Sequence, residues 1–405
     1  MLIEALVLIV LATFVLESIL DELNQRSAQN APDPLVAHLY DAKERDRSIS
    51  YGRERNQLGL LMGAVTTVAM ILALAFGWFA DLDAFISERV DNSILVSLLF
   101  IGALGFISWI LSLPFAIRST FVIEAKYGFN KSTPKTFILD TVKGTLVGVL
   151  IGGALLGAVT WLYERFTDRF WLYAWLLVAG FSIFMFMFGT KLILPLFNKL
   201  TPLEDGELKS DISKYCQSQG YALGNLFVMD GSKRSTKANA FFSGMGKSKT
   251  IVLFDTLIEK LNREEIVAVL AHEIGHYKRK HTLAMFIASN LQSLAIFALL
   301  GWALQYDELS RALGAQEGKF HLSALTFFLL LTPLQLLLGL LNNSLSRRNE
   351  FDADDFAALT YKREPMRTAL SKISTDSLAN LTPHPLYVAF NYTHPPLVER
   401  LKNVG

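Results

Sequence analysis

The chain has 405 residues, of which 52% are hydrophobic and 19% charged, against roughly 25% charged in an average soluble domain. Lys and Arg total 38 and Asp and Glu 37. A disordered or tail-like chain is excluded by the first balance, and the near-zero net charge supplies no field for a nucleic acid partner. Cys216 is the only cysteine, so an internal disulfide and a cysteine-based metal knuckle are excluded too, and any metal must be held by His and carboxylate ligands.

Uncharged stretches long enough to cross a bilayer, which takes about 20 residues, occupy residues 58–80, 94–116, 144–162, 170–190, 282–305 and 322–346. Residues 1–20 form a weaker seventh, interrupted by Glu4 and Glu17 near its ends. It lacks a basic start and a small-residue cleavage site, so a removable signal peptide is not expected. Burial of all these runs in a soluble helical bundle would require polar faces that they do not have. Pro114 and Pro333 fall inside spans, where neighbouring helices can satisfy the freed carbonyls.

Basic residues alternate from one connection to the next. Residues 21–57 carry Arg26, Lys43, Arg45, Arg47, Arg53 and Arg55, whereas 81–93 carry only Arg89. Continued along the chain, the alternation places residues 191–281 and the segment after Ser346 on the cytoplasmic side. The expected organisation is therefore spans 1 to 5 with their loops in 1–200, a cytoplasmic catalytic region in 201–281, spans 6 and 7 in 282–346, and a second catalytic region in 347–405. Within 191–281, residues 205–220 read as an amphipathic helix and residues 226–229 and 250–254 as strands. Asn262, with Glu265 three positions on, reads as a capping box that opens a helix.

That helix runs through His272, Glu273, Ile274, Gly275 and His276. Histidines four apart project from one helical face, so both can bind one zinc ion with Glu273 beside them as the base for an attacking water. The basic Lys278, Arg279, Lys280 and His281 read as anchors at a span start. A catalytic zinc site takes a third protein ligand and leaves one position open. Residues 346–357, SRRNEFDADDFA, continue helically from the last span. Glu350 and Asp354 share a face of it while Asp352 points away. Glu350 is assigned as ligand, and Asp354 as the acceptor that fixes a ligand imidazole. His394, His384, His321 and His38 have, from the residues alone, ordinary structural readings, and Asn239 reads as loop with Phe241 and Phe242 as core.

Together, AHEIGH at 271–276, the run at 346–357, THPPLVER at 393–400, FVIEAKYGFNKST at 121–133 and KANAFFSG at 237–244 resemble the integral-membrane zinc proteases of peptidase family M48, specifically the CAAX prenyl protease 1 (Ste24) group. The resemblance implies a mainly α, polytopic protein of seven transmembrane helices around a water-filled chamber, with a zincin-like catalytic region carrying a few short strands. It implies one zinc ion on His272, His276 and Glu350, with Glu273 as base. It implies that His394 hydrogen-bonds the substrate or the developing oxyanion, and that residues 239–244, among them Asn239, Ala240, Phe241 and Phe242, pair with substrate backbone. Arg400, or Arg347 or Arg348, would pair with Asp354. Glu124 and Asn130 are expected to support the chamber floor.

The implied partner is a peptide or protein, in the characteristic case a prenylated tail ending in Cys, two aliphatic residues and a variable residue, of which the last three are removed. The setting is the lipid bilayer, the bacterial inner membrane or the endoplasmic reticulum according to the source. The alternative expectation, for a bacterial member, is membrane-protein quality control without prenyl substrates. A transporter with a structural metal is disfavoured because the His and acidic cluster lies beyond the spans rather than at the midplane. A catalytically dead scaffold would have no need of Glu273.

Overall fold

The structure is a computed structural model that describes residues 1–166, 168–221, 223–243 and 250–405, the side chains of Phe242 and Ser243 excepted. Among the described residues, seven helices are long and apolar enough to cross a membrane: Leu2–Ser27, Ala42–Ala75, Ser93–Glu124, Pro134–Arg165, Phe170–Phe197, His281–Ala303 and Phe320–Thr360. They are the first to seventh spans below. The weak first stretch is thus a full-length helix, since Glu4 and Glu17 lie near the ends of its apolar part. In five of the seven, only 6% of the most apolar window is buried. Surface is left open on more than one side of these helices, as expected where lipid lies outside and the bundle is not filled within.

Local sequence accounts for the helix starts. Asp41, Asn92 and Thr133 accept backbone N–H bonds at the heads of the second, third and fourth spans, satisfying donors that the helix leaves unpaired. Pro114 lies inside the third span, and a π-helical turn, Ser119–Glu124, follows it. Away from the metal-motif helix, the short helix Trp78–Ser87 is tied to the third and seventh spans. His321 Nε2 lies 2.9 Å from Asp83 Oδ1, His321 Nδ1 lies 3.0 Å from Ser97 Oγ, and Lys319 Nζ lies 3.0 Å from Asp83 Oδ2. His321 is therefore a buried structural residue with its polar atoms partnered.

Between the fifth and sixth spans the chain forms β1 (Leu200–Pro202), β2 (Asn225–Met229), β3 (Ala240–Ser243) and β4 (Thr250–Phe254), in the sheet order β1-β2-β4-β3. β2 and β4 are parallel, and β3 pairs antiparallel with β4, with Ala240 opposite Leu253 and Ser243 opposite Thr250. The helix Glu207–Ser218 and strands β2 and β4 agree with the sequence reading. β1 and β3 are additions to it, and among the described residues β3 forms an edge of the sheet.

The metal-motif helix, Arg263–Lys278, packs on this sheet, on the C-terminal part of the seventh-span helix and on the helix Arg363–Asp376 that follows it. It is opened by the expected capping box, with Glu265 N–H donating to Asn262 Oδ1 at 3.0 Å and Asn262 N–H to Glu265 Oε2 at 2.9 Å. Ile266, Val267, Ala268, Leu270, Ala271 and Ile274 are buried against Ile251, Leu253, Leu257, Met366, Ala369 and Leu401. At about 1.5–3 kcal/mol for each large buried apolar side chain, this core holds the helix rigidly in place.

Candidate metal centre

His272 and His276 project from one face of Arg263–Lys278 toward Glu350, which lies on the long helix of the seventh span, about one turn beyond its uncharged stretch. The two helices come together at Gly275. A Cβ there would stand 3.1 Å from Phe356 Cβ and 3.2 Å from both Cα and O of Ala353. Only glycine permits this backbone approach, and the approach is what brings Glu350 to the histidines.

Three donor atoms converge. His272 Nε2 is 3.1 Å from His276 Nε2 and 3.4 Å from Glu350 Oε2, and His276 Nε2 is 3.2 Å from Glu350 Oε1. Tetrahedral zinc with bonds of about 2.0–2.1 Å requires ligand atoms about 3.3–3.4 Å apart. The observed edges match that requirement. Glu350 Oε2 is also buried with no hydrogen-bond partner among the described residues; Arg400 Nη2 stands 3.5 Å away, which leaves the oxygen able to accept a metal ion. The residues therefore fit a divalent metal ion.

The surrounding residues fix the ligands. His272 Nδ1 donates to Asp354 Oδ1 at 2.8 Å, leaving Nε2 free to face the other donors. Arg400 forks onto Asp354, Nε to Oδ2 at 2.7 Å and Nη2 to Oδ1 at 2.6 Å, a bidentate geometry that locks the carboxylate plane. Burial lowers the His272 pKa, but the hydrogen bonds to Asp354 and Glu350 outweigh it and lift the group to about 9. Two carboxylates facing one ring favour a positive charge there, and a metal ion satisfies the same field.

His276 is oriented by a residue that the sequence reading left aside. Its Nδ1 faces His281 Nδ1 at 3.2 Å, and His281 Nε2 lies 3.7 Å from Asp352 Oδ2. His281 is therefore more than a span anchor, and Asp352 turns toward it rather than away from the site. The cause is Lys280, whose left-handed backbone (φ 60°) ends one helix and starts the next. It folds His281 back beside the ring five residues before it.

Glu273 is half-buried and forms no hydrogen bond or ion pair among the described residues, and burial pushes its carboxyl above the ordinary carboxylate value. A carboxylate of raised basicity, not committed elsewhere, is suited to take a proton from water. His394 is exposed, with Nε2 3.3 Å from Glu350 Oε1 and Nδ1 3.0 Å from Thr393 Oγ1, so it stands at the rim of the centre.

Asn239 is exposed at the head of β3, where its carbonyl accepts from Phe254 N–H at 3.1 Å. Ala240 and Phe241 follow in the edge strand, and Phe241 is half-buried, 6.3 Å centroid to centroid from Phe254. The backbone of Phe242 continues the strand, but its side chain and Gly244 lie outside the described residues.

Arg347 is not a carboxylate partner. Its Nη1 donates to the carbonyls of Val388 at 3.0 Å and Tyr392 at 2.7 Å, and so braces the segment that leads to His394. Glu124 accepts from Tyr51 OH at 2.6 Å and from Lys237 Nζ at 3.0 Å. Asn130 bridges to Ser235. Both therefore tie the end of the third span and the turn after it to the loop that precedes β3.

Known proteins share this arrangement. The pattern described as CAAX prenyl protease N-terminal, five membrane helices, matches residues 22–199, and that of peptidase family M48 matches residues 202–405. The chain is 36% identical to a CAAX prenyl protease 1 homolog of Arabidopsis thaliana, covering 99% of this chain and 97% of that protein. It is 32% identical to CAAX prenyl protease 1 of Saccharomyces cerevisiae, over 93% of this chain and 89% of the other. The crystal structure of S. mikatae Ste24p superimposes with a TM-score of 0.95 at 30% identity, covering 100% of this chain and 99% of that one.

Proposed function

The chain belongs to peptidase family M48 and is a multi-pass membrane metalloendopeptidase, and from that premise we propose that it is a zinc enzyme that trims the C-terminal tails of prenylated CAAX proteins. Its relatives are named for that substrate class. The observation that carries the metal assignment is the triangle of His272, His276 and Glu350, with edges of 3.1, 3.2 and 3.4 Å and a buried Glu350 oxygen without a hydrogen-bond partner among the described residues.

One zinc ion per chain would be held by these three residues, and when bound it supplies a lowered pKa for water and polarisation of the scissile carbonyl. Glu273 accepts the proton of the attacking water and delivers it to the leaving amine. His394, at the rim, donates to the oxygen on which negative charge develops. Asp354 and Arg400 keep the His272 ring in the tautomer that presents Nε2. The free edge of β3, from Asn239 through Phe242, takes substrate as an added strand, which holds the scissile bond in extended form.

The catalytic residues come from 201–281 and 347–405, and the alternation of basic loops favours the cytoplasmic side for both. A lipidated tail is half apolar and half peptide, so a site at the end of membrane helices suits it. Cleavage of a farnesylated peptide against its unprenylated twin tests the substrate class. Faster turnover of the farnesylated peptide is expected, and equal rates would contradict the assignment.

A further inference from the structure

A cavity of about 560 Å³ lies between the end of the first span, the early part of the second, and the segment that leads to Tyr392. That is within the range of small-molecule and peptide-end pockets. Its polar groups are unevenly satisfied. Lys237 is committed, with Nζ 3.0 Å from Glu124 Oε2 and 2.9 Å from Tyr51 OH. Arg55, in contrast, lies 5.5 Å over the Tyr51 ring and has no carboxylate partner among the described residues. Beside it in the same wall, Asn56 Oδ1 is buried with no hydrogen-bond partner among the described residues. An unmatched guanidinium next to an orphaned acceptor is complementary to a group that brings one negative charge together with an N–H donor. Asp21 also lines the cavity, which disfavours a multiply charged anion such as phosphate.

The position of the cavity narrows the ligand further. Tyr392, in its wall, precedes by two residues the His394 whose Nε2 is 3.3 Å from Glu350 Oε1. Lys237, also in its wall, precedes by two residues the Asn239 that heads the β3 edge. A peptide added antiparallel to β3 runs its C-terminal end past Ala240 toward Lys237. Three extended residues reach about 10 Å, so a tail cut three residues from its end can span from the metal centre into this space.

We propose that the cavity binds the free C-terminal carboxylate of the substrate, with Arg55 as its counter-ion and Asn56 Oδ1 accepting the N–H of a terminal residue. This rests on the C-terminal tail-processing reading above and adds to it the feature that sets the distance between cut and chain end. Arg55 is then a specificity residue, not part of the chemistry.

The test uses the zinc-loaded, full-length enzyme and four peptides of one sequence, farnesylated or not, each ending in a free acid or an amide. For wild type, kcat/KM is expected to favour the acid over the amide by about 10- to 100-fold, the worth of a charge-assisted pair, expressed mainly in KM. Arg55→Ala should bring the acid-to-amide ratio to about one, and Arg55→Lys should restore part of it, which a purely structural role would not do. A wild-type enzyme that cuts acid and amide alike, or an Arg55→Ala variant that keeps the preference, overturns the proposal. Indifference to the farnesyl group with the acid preference intact overturns the prenyl assignment alone, and the reverse pattern overturns the carboxylate site alone.

Discussion

Replacing Gly275 by alanine probes the helix contact on which the metal centre depends. The added Cβ would sit 3.1 Å from Phe356 Cβ and 3.2 Å from Ala353 Cα and O, whereas carbon atoms in ordinary contact lie about 3.5–4.0 Å apart. Backbone atoms of Ala353 cannot swing aside as a flexible side-chain end could, so the two helices must separate by roughly 0.3–0.8 Å. Metal–ligand distances tolerate about 0.2 Å. His272 and His276 ride on one helix and Glu350 on the other, so the separation opens two of the three edges of the donor triangle.

Overpacking costs about 1–3 kcal/mol, while alanine regains up to about 1 kcal/mol of helix propensity. The fold should therefore lose at most about 3 kcal/mol. Zinc affinity should fall by about tenfold or more, since 1.4 kcal/mol is one decade. Competition titration against a chelator of known affinity, with a thermal melt of the metal-free protein as control, measures both. Zinc affinity within twofold of wild type would refute the reasoning.

Glu273→Gln should retain zinc while kcat falls by about 10²–10⁴, the usual worth of a general base, as read by metal analysis and peptide turnover on one preparation. Arg400→Lys keeps a positive charge but cannot fork onto Asp354, so zinc affinity is expected to drop about 10- to 100-fold in the same chelator competition. Glu265 offers a test of the capping box through pH. Burial raises its carboxyl, but Lys372 and the Asn262 N–H more than offset this, so its folded pKa lies below the ordinary 4.5. A depressed carboxylate stabilises the fold above its unfolded pKa and loses that contribution as pH falls. Melting temperatures of wild type and Glu265→Gln should accordingly differ at pH 7, by the equivalent of about 1–2 kcal/mol, and draw together as pH falls from about 4.5 through the lowered folded pKa.

The clustering of His272, His276 and Glu350 was legible because their spacing is set within single helices. His272 and His276 share a face through the 3.6-residue repeat, and the number of spans between them and Glu350 returns both segments to one side of the membrane. The seven spans were legible for a similar reason, since composition over about 20 residues decides them. What sequence did not disclose depends on tertiary placement. β3 has four residues, and nothing in its small and aromatic side chains requires a strand until β4 lies beside it. His281 reaches His276 only through the left-handed turn at Lys280, a conformation that a lysine seldom adopts. The sequence offers Arg347 an acid such as Asp354 as partner, but the carbonyls of Val388 and Tyr392 occupy it instead. The unmatched Arg55 likewise reads in sequence as one more basic residue of a connecting loop.

Zinc stoichiometry, combined with X-ray absorption at the zinc edge, tests the centre most directly. One zinc per chain is expected, bound through nitrogen and oxygen at about 2.0–2.2 Å, with two imidazoles in the scattering pattern and no sulfur. His272→Ala, His276→Ala and Glu350→Ala should each empty the site. Full zinc occupancy in the Glu350→Ala protein, or a wild-type spectrum with fewer than two imidazoles, would contradict the assignment of these three residues as the ligands.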